Sequence, residues 1–419
     1  MCRIVGLLLV LNVALGAAEK GSLGAGAARV DITPAADAAL QMSGYGGRTE
    51  GHKGIHDNLY ARAVVLDDGA SLAVIVTADV IGFSHALWEK ISGRIAQETG
   101  IPRDNILLAG VHTHGAPALA GLYGGGTDEK RVAYTAKVED GVLEAVRQAK
   151  ANLQPARFGA GEGKAYVSIN RRARTADGTI RLGFNPEGPS DKTVAVVKFE
   201  TLSGEPIAIF SNYAVHGVAM GQRNLEITGD VPGATSRFVE QHYGGKVVAP
   251  WTSGAAGDQN TIYGPGTEFG PVADLGRVLG EEVIRVAGEI KTSPRVALRG
   301  AQRVVNCPGQ RAVARPRPDR GYDFQDADPV AIRLSLLMVN HVALAGVSGE
   351  VLSMIGQRLK KESPFAHTIM VTHCNGSSGY LPDDAAYQQI SYEITTSRVK
   401  KGCAENAIVN GLVEMMDQP

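Results

Sequence analysis

Three things are scarce in this 419-residue sequence: net charge, cysteine and long apolar runs. Lys and Arg number 42 against 43 Asp and Glu, a formal charge of −1. That balance excludes the basic footprint by which proteins hold nucleic acid, and no basic amphipathic stretch of the membrane-surface type is present. Of four cysteines, Cys2 falls at the extreme N-terminus, ahead of the first apolar stretch, and Cys307, Cys374 and Cys403 remain. Three is odd, so at most one disulfide forms among them, and the fold must rest on its core. A composition that is 44% hydrophobic supplies one. Beyond the N-terminal segment no run is long enough for a membrane helix, so no stable membrane span is expected. H-E-x-x-H and paired C-x-x-C are also missing, so any metal site must be assembled from distant parts of the chain.

The N-terminus is built differently. Arg3 precedes an apolar stretch over residues 4–15, then come Gly16, Ala17 and Ala18. This is the order of a secretory leader, so residues 1–18 are expected to be a signal peptide, residues 19–419 the mature domain, and the protein exported to a periplasmic or secreted location. Cys2 lies ahead of the apolar stretch, which does not suit a lipoprotein cysteine.

The remaining chain alternates strand and helix patterns with no proline-rich or charged linker, which predicts one α/β domain of mixed β-sheets layered with helices. "ARAVVLDDG" and "SLAVIVTADV" read as a hairpin. "SHALWEKISGRIAQETG" reads as an amphipathic helix with Ser84 as N-cap and Gly100 at its end. Two stretches echo one another. "LAVIVTADVIGFSHALWEKI" leads to the strand "NILLAGVHTHG", and "HVALAGVSGEVLSMIGQRL" leads to "HTIMVTHCNGSSG". The echo predicts two pseudo-equivalent halves in which Asp79 matches Glu350 and His112 matches His373.

Four places put a polar side chain where an apolar strand stops. In "GVHTHG", His112 and His114 are two residues apart, so a strand would turn both to one side. "NYAVHG" ends at His216, "GVSGE" ends at Glu350, and "THCNGSSGYLPDDAAYQQISYEI" is a polar loop with Tyr380, Tyr387 and Tyr392. Histidines serve as ligands or proton carriers. Two of them, a carboxylate and one further donor make a catalytic zinc site with room for water. Each alone has a plainer reading: strand-end histidines satisfied by backbone, an acid favoured at a helix N-terminus, and loop tyrosines that simply pack.

The ordered series "ARVDITP", "MSGYGG", "GIHDNLYARAVVL", "GVHTHGAP", "INRRAR", "FNPEGPSD", "NYAVHGVAM", "GAAGDQN", "GVSGE" and "GYLPDDAAYQQISYE" resembles the catalytic domain of the neutral/alkaline non-lysosomal ceramidases. The resemblance implies an amidohydrolase of linear C–N bonds that cleaves N-acylsphingosine or a related lipid amide at zinc with an activated water. It implies His112, His216, Glu350 and Tyr380 as zinc ligands, with Tyr387 the alternative tyrosine. His114, Arg171 and Tyr392 would act on the reacting groups, Asp258 would orient a proton-carrying group, and Gln259 and Asn260 would act on substrate polar groups. There are two departures. The family carries a serine nucleophile in the motif matching "GAAGDQN", where Gln259 and Asn260 stand here, and Ser253 is not expected to replace it. The family's C-terminal immunoglobulin-like domain has no counterpart before Pro419. The expected partner is therefore a small-molecule or lipid amide. A zinc hydrolase for another amide, ester or lactone, or a non-catalytic binding protein on the same fold, are the alternatives. Nothing in the sequence fixes an oligomeric state.

Overall fold

The structure, a computed structural model, describes residues 21–122, 126–315 and 321–418. The expected leader lies outside the described residues. Two sheets dominate. The larger has eight strands, in the spatial order Trp251–Ser253, Pro206–Tyr213, Thr193–Thr201, Gln154–Lys164, Gly24–Asp31, Tyr60–Asp67, Leu72–Ala78 and Ile106–Gly110. The smaller has four: Leu298–Ala314, Tyr322–Val339, Val342–Val347 and His367–Val371.

The strand sequences explain how these sheets stack. In Tyr60–Asp67, Val64 and Leu66 enter one buried cluster while Ala63 and Val65 enter another. In Tyr322–Val339, Leu337 and Val339 likewise part from Leu336 and Met338. Side chains alternate along a strand, so a strand apolar at every position is buried on both faces. The shared cluster joins Val64, Ile75 and Leu107 of the large sheet to Leu337, Leu344 and Ile369 of the small one. Helices cover the outer faces. His85–Thr99 and Glu129–Ala151 pack Trp88, Ile91, Val138 and Val142 on the large sheet. Ser353–Glu362 and Ala404–Asp417 pack Ile355, Leu359, Ile408 and Leu412 on the small one. The fold is thus α/β, with the two sheets face to face between helices.

The expected hairpin forms, with Ala61 opposite Ala78 and Asp67 opposite Leu72. Ser84 caps the first helix by accepting from the Leu87 amide, and Gly100 ends it at φ 74°. A longer hairpin differs from the sequence reading. Leu298–Ala314 and Tyr322–Val339 pair well past the apolar stretches, because their outer residues are polar and mostly exposed and carry no apolar period. A register shift after Cys307 marks where that extension begins, and Cys307 is disulfide-bonded to Cys403. Cys374 is free and buried.

The internal echo is visible in the topology. Tyr60–Asp67 is antiparallel to Leu72–Ala78, which crosses through a helix to the parallel Ile106–Gly110. Tyr322–Val339, Val342–Val347 and His367–Val371 repeat the arrangement around Ser353–Glu362. The last parallel pairs are Ala78 with Gly110 and Gly346 with Val371. His112 and His373 therefore fall at the same place, two residues past each strand, and both adopt left-handed backbone at φ 63° and 53°. The acids do not match. Asp79 immediately follows its strand and pairs with the buried Arg62 at 3.0 Å, whereas Glu350 lies further along its own loop.

Candidate metal centre

The centre gathers where strands of both sheets end. The Thr113 backbone bridges to Gly217, and the His114 amide donates to the Gly217 carbonyl at 2.9 Å. A side chain at 217 would put its Cβ 2.9 Å from the Thr113 Cα, so glycine permits the approach that brings His112 and His114 to His216. Gly257 does the same on the other side, where a Cβ would meet the Glu350 carbonyl at 2.7 Å. Glu350 in turn pairs with Tyr380 in a short parallel ladder.

The two imidazoles are oriented by carbonyls. His112 Nδ1 lies 2.9 Å from the Ile81 oxygen, and His216 Nδ1 lies 2.7 Å from the Ala256 oxygen. A carbonyl only accepts, so each Nδ1 carries the proton and each Nε2 presents a lone pair. Both lone pairs face one carboxylate oxygen: Glu350 Oε2 is 3.4 Å from His112 Nε2 and 3.3 Å from His216 Nε2. Burial, with Arg171 adding to it, lowers the His216 pKa to about 4, so no imidazolium forms there near neutrality. His112 Nε2 and Glu350 Oε2 are buried without a hydrogen-bond partner. Three acceptors turned on one point repel each other, and the approach of Arg171 Nη1 to His216 Nε2 at 3.3 Å relieves this only in part. A divalent cation removes the conflict, and nitrogen and oxygen donors suit zinc.

His114 completes a group of three histidines whose ring nitrogens lie within 4.8 Å of one another. Both its nitrogens are buried and unpartnered, and burial first, then His112 and His216, holds its pKa well below the usual imidazole value. Tyr45 meets the ring edge-on at 5.0 Å.

Arg171 comes from the Ser168–Arg174 strand and is almost fully buried. Its Nε donates to Glu393 Oε1 at 2.7 Å, its Nη2 donates to the Tyr380 hydroxyl at 2.9 Å, and its Nη1 lies 3.3 Å from His216 Nε2. Burial would depress its pKa, but Tyr380 and Glu393 outweigh that and push it up, so it stays cationic. Tyr392 packs edge-on against Tyr380 at 5.6 Å and is partly exposed, at the rim. Tyr387 packs against the same small cluster as Tyr380 but donates its hydroxyl to the Val399 carbonyl at 2.6 Å.

Asp258 does not face the histidines. Its carboxylate accepts from Asn170 Nδ2, Gln259 Nε2, the Ser353 amide and the Ser353 hydroxyl at 2.9–3.0 Å. It orients no proton carrier; it ties three segments together. Gln259 donates to the Pro189 carbonyl as well as to Asp258, while its Oε1 is unpartnered. Asn260 is buried with Oδ1 unpartnered. The backbone of this segment does more for the site: the Gln259 carbonyl accepts from the His216 amide and the Asp258 carbonyl from the Arg171 amide. Ser253 directs its hydroxyl to the Val111 and Val215 carbonyls, at 3.2 and 3.5 Å, which leaves it no nucleophilic geometry. Two residues had no assigned role in the sequence reading. Glu393 follows a named tyrosine and gave no separate signal. His373 was marked only by the internal echo, and its ring stacks on His112 at 3.7 Å.

The model for neutral/alkaline non-lysosomal ceramidase, N-terminal, matches residues 23–265. Neutral ceramidase A of Dictyostelium discoideum is 31% identical over 245 residues, 53% of this chain and 32% of that protein. The neutral ceramidase of Mycobacterium tuberculosis is 31% identical over 238 residues, 54% of this chain and 36% of that protein. The matched part thus spans about a third of these relatives' length, and Glu350, Tyr380 and Glu393 lie beyond the residues matched by the family model. The crystal structure of neutral ceramidase from Pseudomonas aeruginosa superposes with a TM-score of 0.78 at 20% identity, over 95% of this chain and 74% of that one. At that identity the likeness is one of fold.

Proposed function

Given that this chain belongs to the neutral/alkaline non-lysosomal ceramidase family, we propose that it is a zinc-dependent amidohydrolase acting on an N-acyl amide, N-acylsphingosine or a related lipid. The observation that carries the reading is the convergence of His112 Nε2, His216 Nε2 and Glu350 Oε2, of which the first and last are buried with no hydrogen-bond partner. These three, with the Tyr380 hydroxyl beside them, would hold the ion. Zinc bound there would supply Lewis-acid polarisation of a carbonyl and acidify a water.

The chain's own residues account for the remaining steps. Arg171, fixed by Glu393 and Tyr380, offers a buried cation to the negative charge that develops on the carbonyl oxygen. Tyr392 adds a hydroxyl from the rim. His114 is neutral and without a hydrogen-bond partner at either nitrogen, so its lone-pair nitrogen can accept a proton from the attacking water as the C–O bond forms and give that proton to the leaving nitrogen as the C–N bond breaks. The products are a carboxylate and an amine. No serine stands at residues 257–260, so the proposal needs none. Read from the leader pattern of residues 1–18, the enzyme acts after export.

The test is release of fatty acid from N-acylsphingosine, measured beside a panel of other amides, esters and lactones, with zinc content determined and a chelator arm. Hydrolysis of the lipid amide that disappears on chelation and returns with zinc supports the reading. Turnover confined to esters or lactones moves it to the alternative substrates. A zinc-loaded protein inert on the whole panel overturns it in favour of a binding protein.

A further inference from the structure

We infer that His373 is a positioning residue for His112, a flat backing that fixes the plane of the ligand ring without joining the ligand set. This rests on the metal-site reading above. The His112 and His373 rings lie 3.7 Å apart and 13° from parallel. The bond from Nδ1 to the Ile81 carbonyl fixes one direction of the His112 ring but leaves rotation about that axis. A parallel ring at van der Waals distance removes that freedom. On its other sides His112 meets only ring edges, His216 at 76° and His114 at 83°. Among the described residues, His373 is the one aromatic neighbour that lies parallel to the ring and defines its plane.

Its own place is fixed by the two ligand-bearing segments. The His373 amide donates to the Gly349 carbonyl, next to Glu350, and its carbonyl accepts from the Gly110 amide, two residues before His112. Both histidines take left-handed backbone at matching points of the repeated strand–helix–strand unit, so they face one another across the seam between the sheets. His373 stands outside the trio of histidines whose nitrogens share one point. Its contact with the site is through the face of the ring, which binds no metal. A ligand already held in plane loses less freedom when an ion arrives, and the gain appears as affinity.

The experiment is competition for zinc between a chromophoric chelator and the metal-free full chain, for the parent and the His373→Leu, His373→Gln and His373→Phe variants. Aromatic pairs contribute enough to change a dissociation constant roughly threefold to tenfold. The Leu and Gln variants are expected to weaken zinc binding by about that factor, and the Phe variant, which keeps a ring, to stay within about twofold of the parent. If His373→Leu does not fold by circular dichroism, the Gln and Phe pair decides. Parent-like affinity in the Leu or Gln variant overturns the inference. So does a Phe variant that loses as much as Leu, because a ring nitrogen would then matter. A lowered melting temperature of the metal-free protein with unchanged zinc affinity also overturns it, as a purely structural role. A parent that binds no zinc removes the metal reading and this inference together; a parent that binds while all variants match it removes this one alone.

Discussion

Oε2 of Glu350 stands 3.3 Å from Nε2 of His216, and the imidazole proton is on the far side of the ring, on the Ala256 carbonyl. The contact is lone pair against carboxylate. Glu350→Gln keeps the shape, removes the charge and adds a donor that can face the lone pair. The metal-free variant is therefore expected to melt no lower than the parent, while zinc affinity falls by roughly 100-fold, the scale of losing a metal-site group. Differential scanning fluorimetry and chelator competition check both halves. An unchanged affinity would mean that this oxygen is not a ligand.

Glu393 acts at one remove, through Arg171. Glu393→Gln replaces an ionised acceptor by an amide against the buried Nε, 2.7 Å away. Hydrogen bonds to charged groups contribute about 1.5–3 kcal/mol, so kcat should fall about 10- to 100-fold. KM should move much less, because the guanidinium works on charge that develops during reaction. Steady-state kinetics on the best substrate of the panel give the split; a rise in KM at constant kcat would make Glu393 a binding residue instead.

Asp258→Asn and Asp258→Ala should be stability variants. The carboxylate holds Asn170, Gln259 and Ser353, none of which touches the histidine nitrogens. Alanine leaves several buried donors unpaired, for a loss of about 3 kcal/mol or more. Asparagine keeps part of the network and should lose less. Urea denaturation measures both, and the folded fraction of the Asn variant should turn over at nearly the parental rate. A rate collapse without a stability change would return Asp258 to the chemistry.

Breaking the Cys307–Cys403 bond tests the outer half of the long hairpin. The bond closes a loop of 96 residues, and cross-links of that span stabilise by roughly 4 kcal/mol in the chain-entropy model. Beside it the Gln310 amide donates to the Arg398 carbonyl and the Lys400 amide to the Pro308 carbonyl. The double Ser variant, or the parent in reductant, should unfold at lower urea. Identical midpoints would show that the bond contributes nothing to the folded state.

Legibility from sequence followed the strength of local periodicity. Strands buried on both faces, such as Val342–Val347, are apolar at every position and could be read at once, as could the Ser84 and Gly100 helix ends. The polar reach of the Leu298–Ala314 hairpin carries no such signature, so its length emerged only from pairing. Among the site residues, histidines and acids at strand ends were conspicuous because a polar group interrupts an apolar run. Asp258 turns its carboxylate to Asn170, Gln259 and Ser353, and the contribution of its segment to the centre is backbone: the carbonyls of Ala256, Asp258 and Gln259 orient His216 and Arg171. Side-chain type cannot reveal that. Nor could it separate Tyr380 from Tyr387, since the choice depends on a two-residue ladder with Glu350.

A two-stranded ladder following the strands of the small sheet holds Glu350 and Tyr380, and the large sheet leads into His112 and His216. A polypeptide emerging from the ribosome therefore exposes both imidazoles long before their carboxylate is synthesised. Until the late strands dock, the nascent chain holds only the histidines of the proposed ligand set, and a fragment ending near residue 265 would keep it that way permanently.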